Sequence, residues 1–132
     1  MERIVLDTYA AAAFFYNEPG ADKTEKTIIS ALAGNGKIFM SAVNYGELFY
    51  AVLKKSGRKA AMKAVHMLDA VPVGIIDADK NLSLLAGGIK ADKRMSYADC
   101  FAAATAKILN AVLLTGDPEF KEVEKEIKIM WI

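Results

Sequence analysis

Four carboxylates in this 132-residue chain stand where acids are least expected, at the ends of apolar runs or on an apolar helix face. Asp7 closes the run Arg3-Ile4-Val5-Leu6, and Asp117 follows Ala111-Val112-Leu113-Leu114-Thr115-Gly116. Both runs read as buried strands of a parallel sheet with an acid at the C-terminal end, which is where open α/β sheets bind ligands. Asp99 heads an alanine-rich stretch, three residues after Ser96. With Ser96 as N-cap, that carboxylate falls in the first helical turn, beside free N–H groups and the positive end of the helix dipole. The same spacing also fits a capping box with the shorter acid, in which Asp99 only holds the helix end. Glu47 lies in the middle of a helix, and its neighbours at helical spacing, Val43, Tyr50 and Ala51, form a largely apolar face.

Four like charges meeting in one cleft repel, so they take up protons or are neutralised by a cation. No thiolate or imidazole accompanies them, and the one histidine, His66, lies in a different helix. Carboxylates alone suit Mg²⁺, with Mn²⁺ able to substitute, rather than zinc. Such ions activate water and stabilise the charge that builds as a phosphodiester breaks, so phosphodiester hydrolysis is the chemistry expected. Thr8 and Thr115 stand beside two of the acids and are placed to orient a carboxylate. Thr115 is the stronger candidate because Gly116 frees the turn for close approach; Thr8 is equally well an ordinary strand-end residue.

The elements that must position these groups follow from periodicity and punctuation. After the first strand, Tyr9–Tyr16 reads as a helix ended by Asn17-Glu18-Pro19-Gly20, and Ala21–Ala33 as a second ended by Gly34-Asn35-Gly36. Lys37–Met40 is a short strand, Ser41 caps a helix to about Lys55, and Arg58–Leu68 is a further helix. Val71–Ile76 reads as a strand near a sheet edge, because Pro72 has no ladder donor. Ala78–Ile89 is expected to be helical, Lys90–Met95 a charged loop, and Phe120–Lys125 a short helical piece before an edge strand over Ile127–Trp131. Alternation of strand and helix predicts a three-layer α/β/α sandwich around a central, mostly parallel sheet, in one domain spanning 1–132.

Composition agrees. Hydrophobic residues make up 54% and charged residues 25%, which excludes disorder and favours buried strands. With 17 basic residues against 16 acids, the net charge of +1 gives no global field for nucleic acid, so any such contact is local. Cys100, the single cysteine, excludes an internal disulfide and multi-cysteine zinc sites, and is expected in the core. No run approaches transmembrane length and no signal peptide is evident, so a cytoplasmic protein without membrane contact is expected.

Four motifs in order, Val5-Leu6-Asp7-Thr8, Ser41-Ala42-Val43 through Gly46-Glu47-Leu48, Ser96-Tyr97-Ala98-Asp99 and Thr115-Gly116-Asp117-Pro118-Glu119-Phe120, resemble a PIN domain, most of all the VapC-type toxins of toxin–antitoxin pairs. The resemblance spans nearly the whole chain. It implies a Mg²⁺-dependent endoribonuclease acting on RNA, often a homodimer, held inactive by a cognate antitoxin that inserts a C-terminal segment at the acidic cleft. On matching positions it implies Asp7, Glu47, Asp99 and Asp117 as the acids of the site. Two positions depart from the pattern: Tyr9 stands where relatives often carry a small hydroxyl residue, and Asn44 where many carry threonine.

Two basic clusters, Lys54-Lys55-Arg58-Lys59-Lys63 and Lys90-Lys93-Arg94, are candidates for phosphate contacts, the second being nearer to Asp99. Phe14, Phe15, Tyr16, Phe49 and Tyr50 read first as core, with a dimer or antitoxin groove as the other role. Two other functions fit aspartates at strand ends. One is a phosphoacceptor signalling module, disfavoured by Glu47 and by Thr115-Gly116-Asp117 standing where a late-strand lysine is needed; the other is an inactive PIN fold that only binds.

Overall fold

The computed structural model describes residues 2–132. Five strands, β1 (Arg3–Leu6), β2 (Lys37–Ser41), β3 (Val73–Ile76), β4 (Val112–Thr115) and β5 (Ile129–Trp131), form one sheet in the order β3-β2-β1-β4-β5. Every pairing is parallel. Parallel strands need crossover helices, and these cover both faces. Helices α1 (Thr8–Tyr16), α2 (Ala21–Ala33), α3 (Ala42–Ser56) and α4 (Arg58–Ala70) pack on the face carrying Ile4, Leu6, Ile38, Met40 and Leu114. Helices α5 (Lys80–Asp92) and α6 (Tyr97–Leu109), with a 3₁₀ turn at Pro118–Val123, close the face carrying Val5 and Leu113. The result is the three-layer α/β/α sandwich that the alternation predicts.

The chain leaves β1 toward β2 and β3 on one side and returns to β4 and β5 on the other, so the strand order reverses between β1 and β4. A crevice opens at such a switch point, outside the carboxyl ends of the two strands. The order differs from the 2-1-3-4-5 sheet of the phosphoacceptor modules, whose switch lies between other strands. That alternative loses its architecture.

Helix α6 is the packing centre of its layer. Cys100, Ala102, Ala103, Ala104 and Ala106 are all buried, and their small side chains let the helix settle close on the sheet. Local differences from the sequence reading have physical causes. Asp79, accepting from the Leu82 N–H at 2.8 Å, starts α5 two residues later than expected. Its far end runs through Lys90 to Asp92, because Lys90 Nζ donates to the Met95 carbonyl at 2.6 Å and holds the following turn. The strand expected from Val71 begins at Val73, past Pro72, and lies at an edge as the missing donor requires. Phe14, Phe15, Tyr16 and Phe49 pack on the core, leaving Tyr50 as the exposed member of that group.

Candidate active site

The register that places Leu6 opposite Leu114 brings the next residues, Asp7 and Thr115, together at the switch point. Asp7 is only 1% exposed, and its carboxylate is held at both oxygens. Oδ1 accepts from the Ala10 N–H at 2.8 Å, capping α1, and Oδ2 accepts from the Thr115 hydroxyl at 2.5 Å. The Thr115 Oγ1 also accepts from the Asp117 N–H at 3.0 Å, and Asp117 Oδ1 accepts from the Glu119 N–H at 2.9 Å. One turn after β4 therefore carries two acids whose positions are tied to Asp7. The absence of a side chain at Gly116 lets the Tyr9 ring lie against this turn, where a Cβ would overlap it.

At α6, Ser96 Oγ accepts from the Asp99 N–H at 3.1 Å, as an N-cap should. The reciprocal half of a capping box is supplied by another residue: the Ser96 N–H donates to Glu119 Oε1 at 2.6 Å. The Asp99 side chain is thus released from the capping role that its spacing also allowed. It is 7% exposed and lines the cleft with Asp117 and Glu119.

Helix α3 brings the remaining acid. Ser41 caps it, accepting from the Asn44 N–H at 3.1 Å. Asn44, fully buried, donates from Nδ2 to the Ala98 carbonyl of α6 at 3.1 Å and to Thr8 Oγ1 at 3.3 Å, while its Oδ1 accepts from Ser41 Oγ at 2.5 Å. Thr8 in turn donates to the Glu47 carboxylate. Asn44 therefore joins α1, α3 and α6 and, through Thr8, orients Glu47 on the cleft wall.

The cleft measures about 330 Å³. A larger groove of about 730 Å³ lies at the opposite end of β4 and β5, where Lys107, Lys125 and Lys128 mix with Glu124 and Glu126, so it has no concentrated charge. In the acidic cleft, burial pushes the Asp99 carboxyl up to about 8, with Asp117, Glu119 and Asp7 adding repulsion. Burial likewise raises Asp7 to about 7, against the lowering effect of its Thr115 and Ala10 hydrogen bonds. Carboxyl oxygens of Asp99, Asp117 and Glu119 all lie within 4.8 Å of one another. Asp7 sits buried beside this trio and acts on it through its charge, and Glu47 lines the same cleft outside the trio. All are hard oxygen donors without histidine or cysteine, which fits a divalent cation of the Mg²⁺ or Mn²⁺ type.

Glu119 is the residue that sequence reasoning left out of the site. Its signal was the Asp117-Pro118-Glu119 spacing, two acids on one tight turn. Of the basic cluster nearest to Asp99, Lys90 is committed to the Met95 carbonyl and Lys93 pairs with Glu126 at 3.2 Å. In the other cluster, Lys55 lies 4.3 Å from the centre of the Tyr16 ring.

A parallel sheet covered on both faces, with carboxylates gathered at its switch point, defines an α/β protein with an acidic, cation-compatible cleft. The PIN-domain family model matches residues 4–126, and the chain belongs to the PIN-domain family. Among solved structures, a VapBC2 complex from Rickettsia felis bound to a DNA fragment from their promoter matches with TM-score 0.79 at 20% identity, over 97% of this chain and 97% of that one. DNA-bound VapBC from Salmonella typhimurium matches with TM-score 0.78 at 20% identity, over 98% of each chain. VapC20 of Mycobacterium tuberculosis, a sarcin-ricin loop cleaving toxin, matches with TM-score 0.71 at 17% identity, over 89% of this chain and 92% of that one. At these identities the likeness concerns the fold. No curated protein matches the chain by sequence.

Proposed function

We propose that this PIN domain is a Mg²⁺-dependent endoribonuclease and the toxin of a toxin–antitoxin pair. The observation that carries the reading is the gathering of Asp99, Asp117 and Glu119 carboxyl oxygens within 4.8 Å of one another at the strand switch point, beside buried Asp7. A site so negative is stabilised by a divalent ion, and Asp99, Asp117 and Asp7 are the residues to hold it, with Glu119 completing the set. When bound, such an ion supplies Lewis-acid stabilisation of a phosphoryl group and lowers the pKa of water.

The chain's own residues do the rest. Thr115 and the Ala10 N–H fix Asp7, so its carboxyl oxygens are already in position when substrate arrives. Glu47 has one oxygen held by Thr8, and its other oxygen is available to take the proton of the attacking water. Water oxygen bonds to phosphorus as the bond to the leaving ribose oxygen breaks, and that oxygen takes up a proton from solvent to leave as the alcohol. The RNA substrate is supported by the sarcin-ricin loop cleaving relative, and a cognate antitoxin by the VapBC complexes among the neighbours. A homodimer in the cytoplasm completes the reading. Among the described residues no helix is long and apolar enough to cross a membrane.

Purified protein should cleave RNA with Mg²⁺ or Mn²⁺ and not with EDTA. Asp7→Asn and Asp99→Asn should each lose this activity by 100-fold or more, on the order expected for removing a charged group from a preorganised site, while keeping the far-UV circular dichroism of the parent. Full activity in both variants refutes the assignment. Mn²⁺ binding with RNA left intact revives the reading of a PIN fold that only binds.

A further inference from the structure

Two tyrosines flank the acids without taking part in the core. Tyr9, two residues past Asp7, is 43% exposed, and Tyr50, three residues past Glu47, is 58% exposed; both line the acidic cleft. The i to i+3 spacing puts Tyr50 on the same face of α3 as Glu47. The Tyr9 ring rests on the turn that carries Asp117: its Cδ1, Cε1 and Cζ atoms lie where a side chain at 116 would begin. Among the described residues neither ring stacks on another aromatic; the ring pairs are Phe15–Tyr16 and Tyr97–Phe101. Open aromatic surface beside a phosphate-cleaving centre matches the chemistry of a nucleobase, which stacks on tyrosine whatever its sequence.

We propose that Tyr9 and Tyr50 form a nucleobase subsite, on which a base neighbouring the scissile phosphate stacks while the phosphate lies at the carboxylates. This rests on the ribonuclease reading and adds to it a chemical reason for substrate positioning. Lys90 and Lys93, of the basic cluster nearest to Asp99, are committed to contacts within the chain, which raises the share of the affinity left to stacking. A peptide segment of a partner protein is the competing occupant. A base is favoured because the rings lie in the same cleft as the acids, so a phosphodiester bound there brings its own bases to them.

The test uses an unstructured oligoribonucleotide whose cleavage position has been mapped with the wild-type chain, and a second copy with an abasic residue next to that position. Tyr9→Ala and Tyr50→Ala should each raise KM about tenfold on the intact RNA, the size expected for one lost stack, with kcat little changed. Tyr9→Phe and Tyr50→Phe, which keep the ring, should restore the wild-type KM. Tyr97→Ala, an exposed tyrosine outside the cleft, should leave KM unchanged. On abasic RNA the wild type should fall to the level of the alanine variants, and those variants should lose little more. An unchanged KM in both alanine variants, or equal losses on intact and abasic RNA, overturns the subsite while wild-type cleavage keeps the ribonuclease reading. Loss only of inhibition by a cognate antitoxin, with KM unchanged, assigns the rings to the protein partner and likewise overturns it. Absence of any cleavage by the wild type removes both readings.

Discussion

At the scale of single residues, the acidic cleft is a conflict held in place by its surroundings. Asp7 and Asp99 sit in the folded chain with their carboxyls raised to about 7 and about 8, against an ordinary value of 3.8, first of all because burial penalises their charge. A folded-state pKa above the unfolded one means that the folded chain holds protons the unfolded chain has released. The associated stability is fully present below about pH 4 and is lost as pH rises through 7 and 8. In EDTA, the melting temperature of the wild type relative to an Asp7→Asn/Asp99→Asn variant should therefore fall between pH 5 and pH 8.5. A pH-independent difference between the two proteins excludes the raised carboxyls. Because divalent ions bind the ionised form, millimolar Mn²⁺ should raise the wild-type melting temperature more at pH 8 than at pH 5.5, and the Asn variant should respond weakly. Asn at position 7 can still accept from the Ala10 N–H, so the substitution removes the charge and spares the helix cap.

At the scale of elements, helix starts set the geometry. α1, α3 and α6 begin with Asp7, Ser41 and Ser96 as N-caps, and each start delivers a residue of the cleft wall or its support. Ser96→Ala should cost about 1 kcal/mol of folding stability, since the Asp99 N–H loses its acceptor while Glu119 keeps the Ser96 N–H. Urea denaturation reads this directly, and a loss below about 0.5 kcal/mol, the low end for an N-cap serine, argues that the cap carries little of the helix end. The starts at Ser41 and Ser96 were legible in the sequence because serine before an apolar period has a local cause; the capping of α1 by Asp7 was not, since that residue reads first as the acid closing a strand. The strands were legible too, their apolar runs ending abruptly in an acid. Less legible were the contacts made across the fold. Nothing within a few residues of Glu119 reveals that it reaches Ser96, and nothing near Asn44 reveals the Ala98 carbonyl. The later start of α5 depended on Asp79 rather than on periodicity, and the engagement of Lys90 and Lys93 required knowing which turn lies next to them.

At the scale of the whole molecule, one sheet ties together the apolar clusters packed on its two faces. We propose that residues 1–132 form a single cooperative domain. Chemical denaturation followed at once by far-UV circular dichroism and by the fluorescence of Trp131, on edge strand β5, should give coincident transitions. Separate midpoints would divide the chain. The helix layers are unequal, with α1 to α4 on one face and α5, α6 and the 3₁₀ turn on the other, and the cleft opens where elements from both layers meet β1 and β4. The hydrogen bond from Thr115 to Asp7 closes a loop of 108 positions, so the two halves of the charged cluster come from opposite ends of the polypeptide. Interrupted synthesis therefore yields an incomplete cluster: a fragment released before β4 carries Asp7, Glu47 and Asp99 but neither the threonine that steadies the first nor the turn that supplies Asp117 and Glu119.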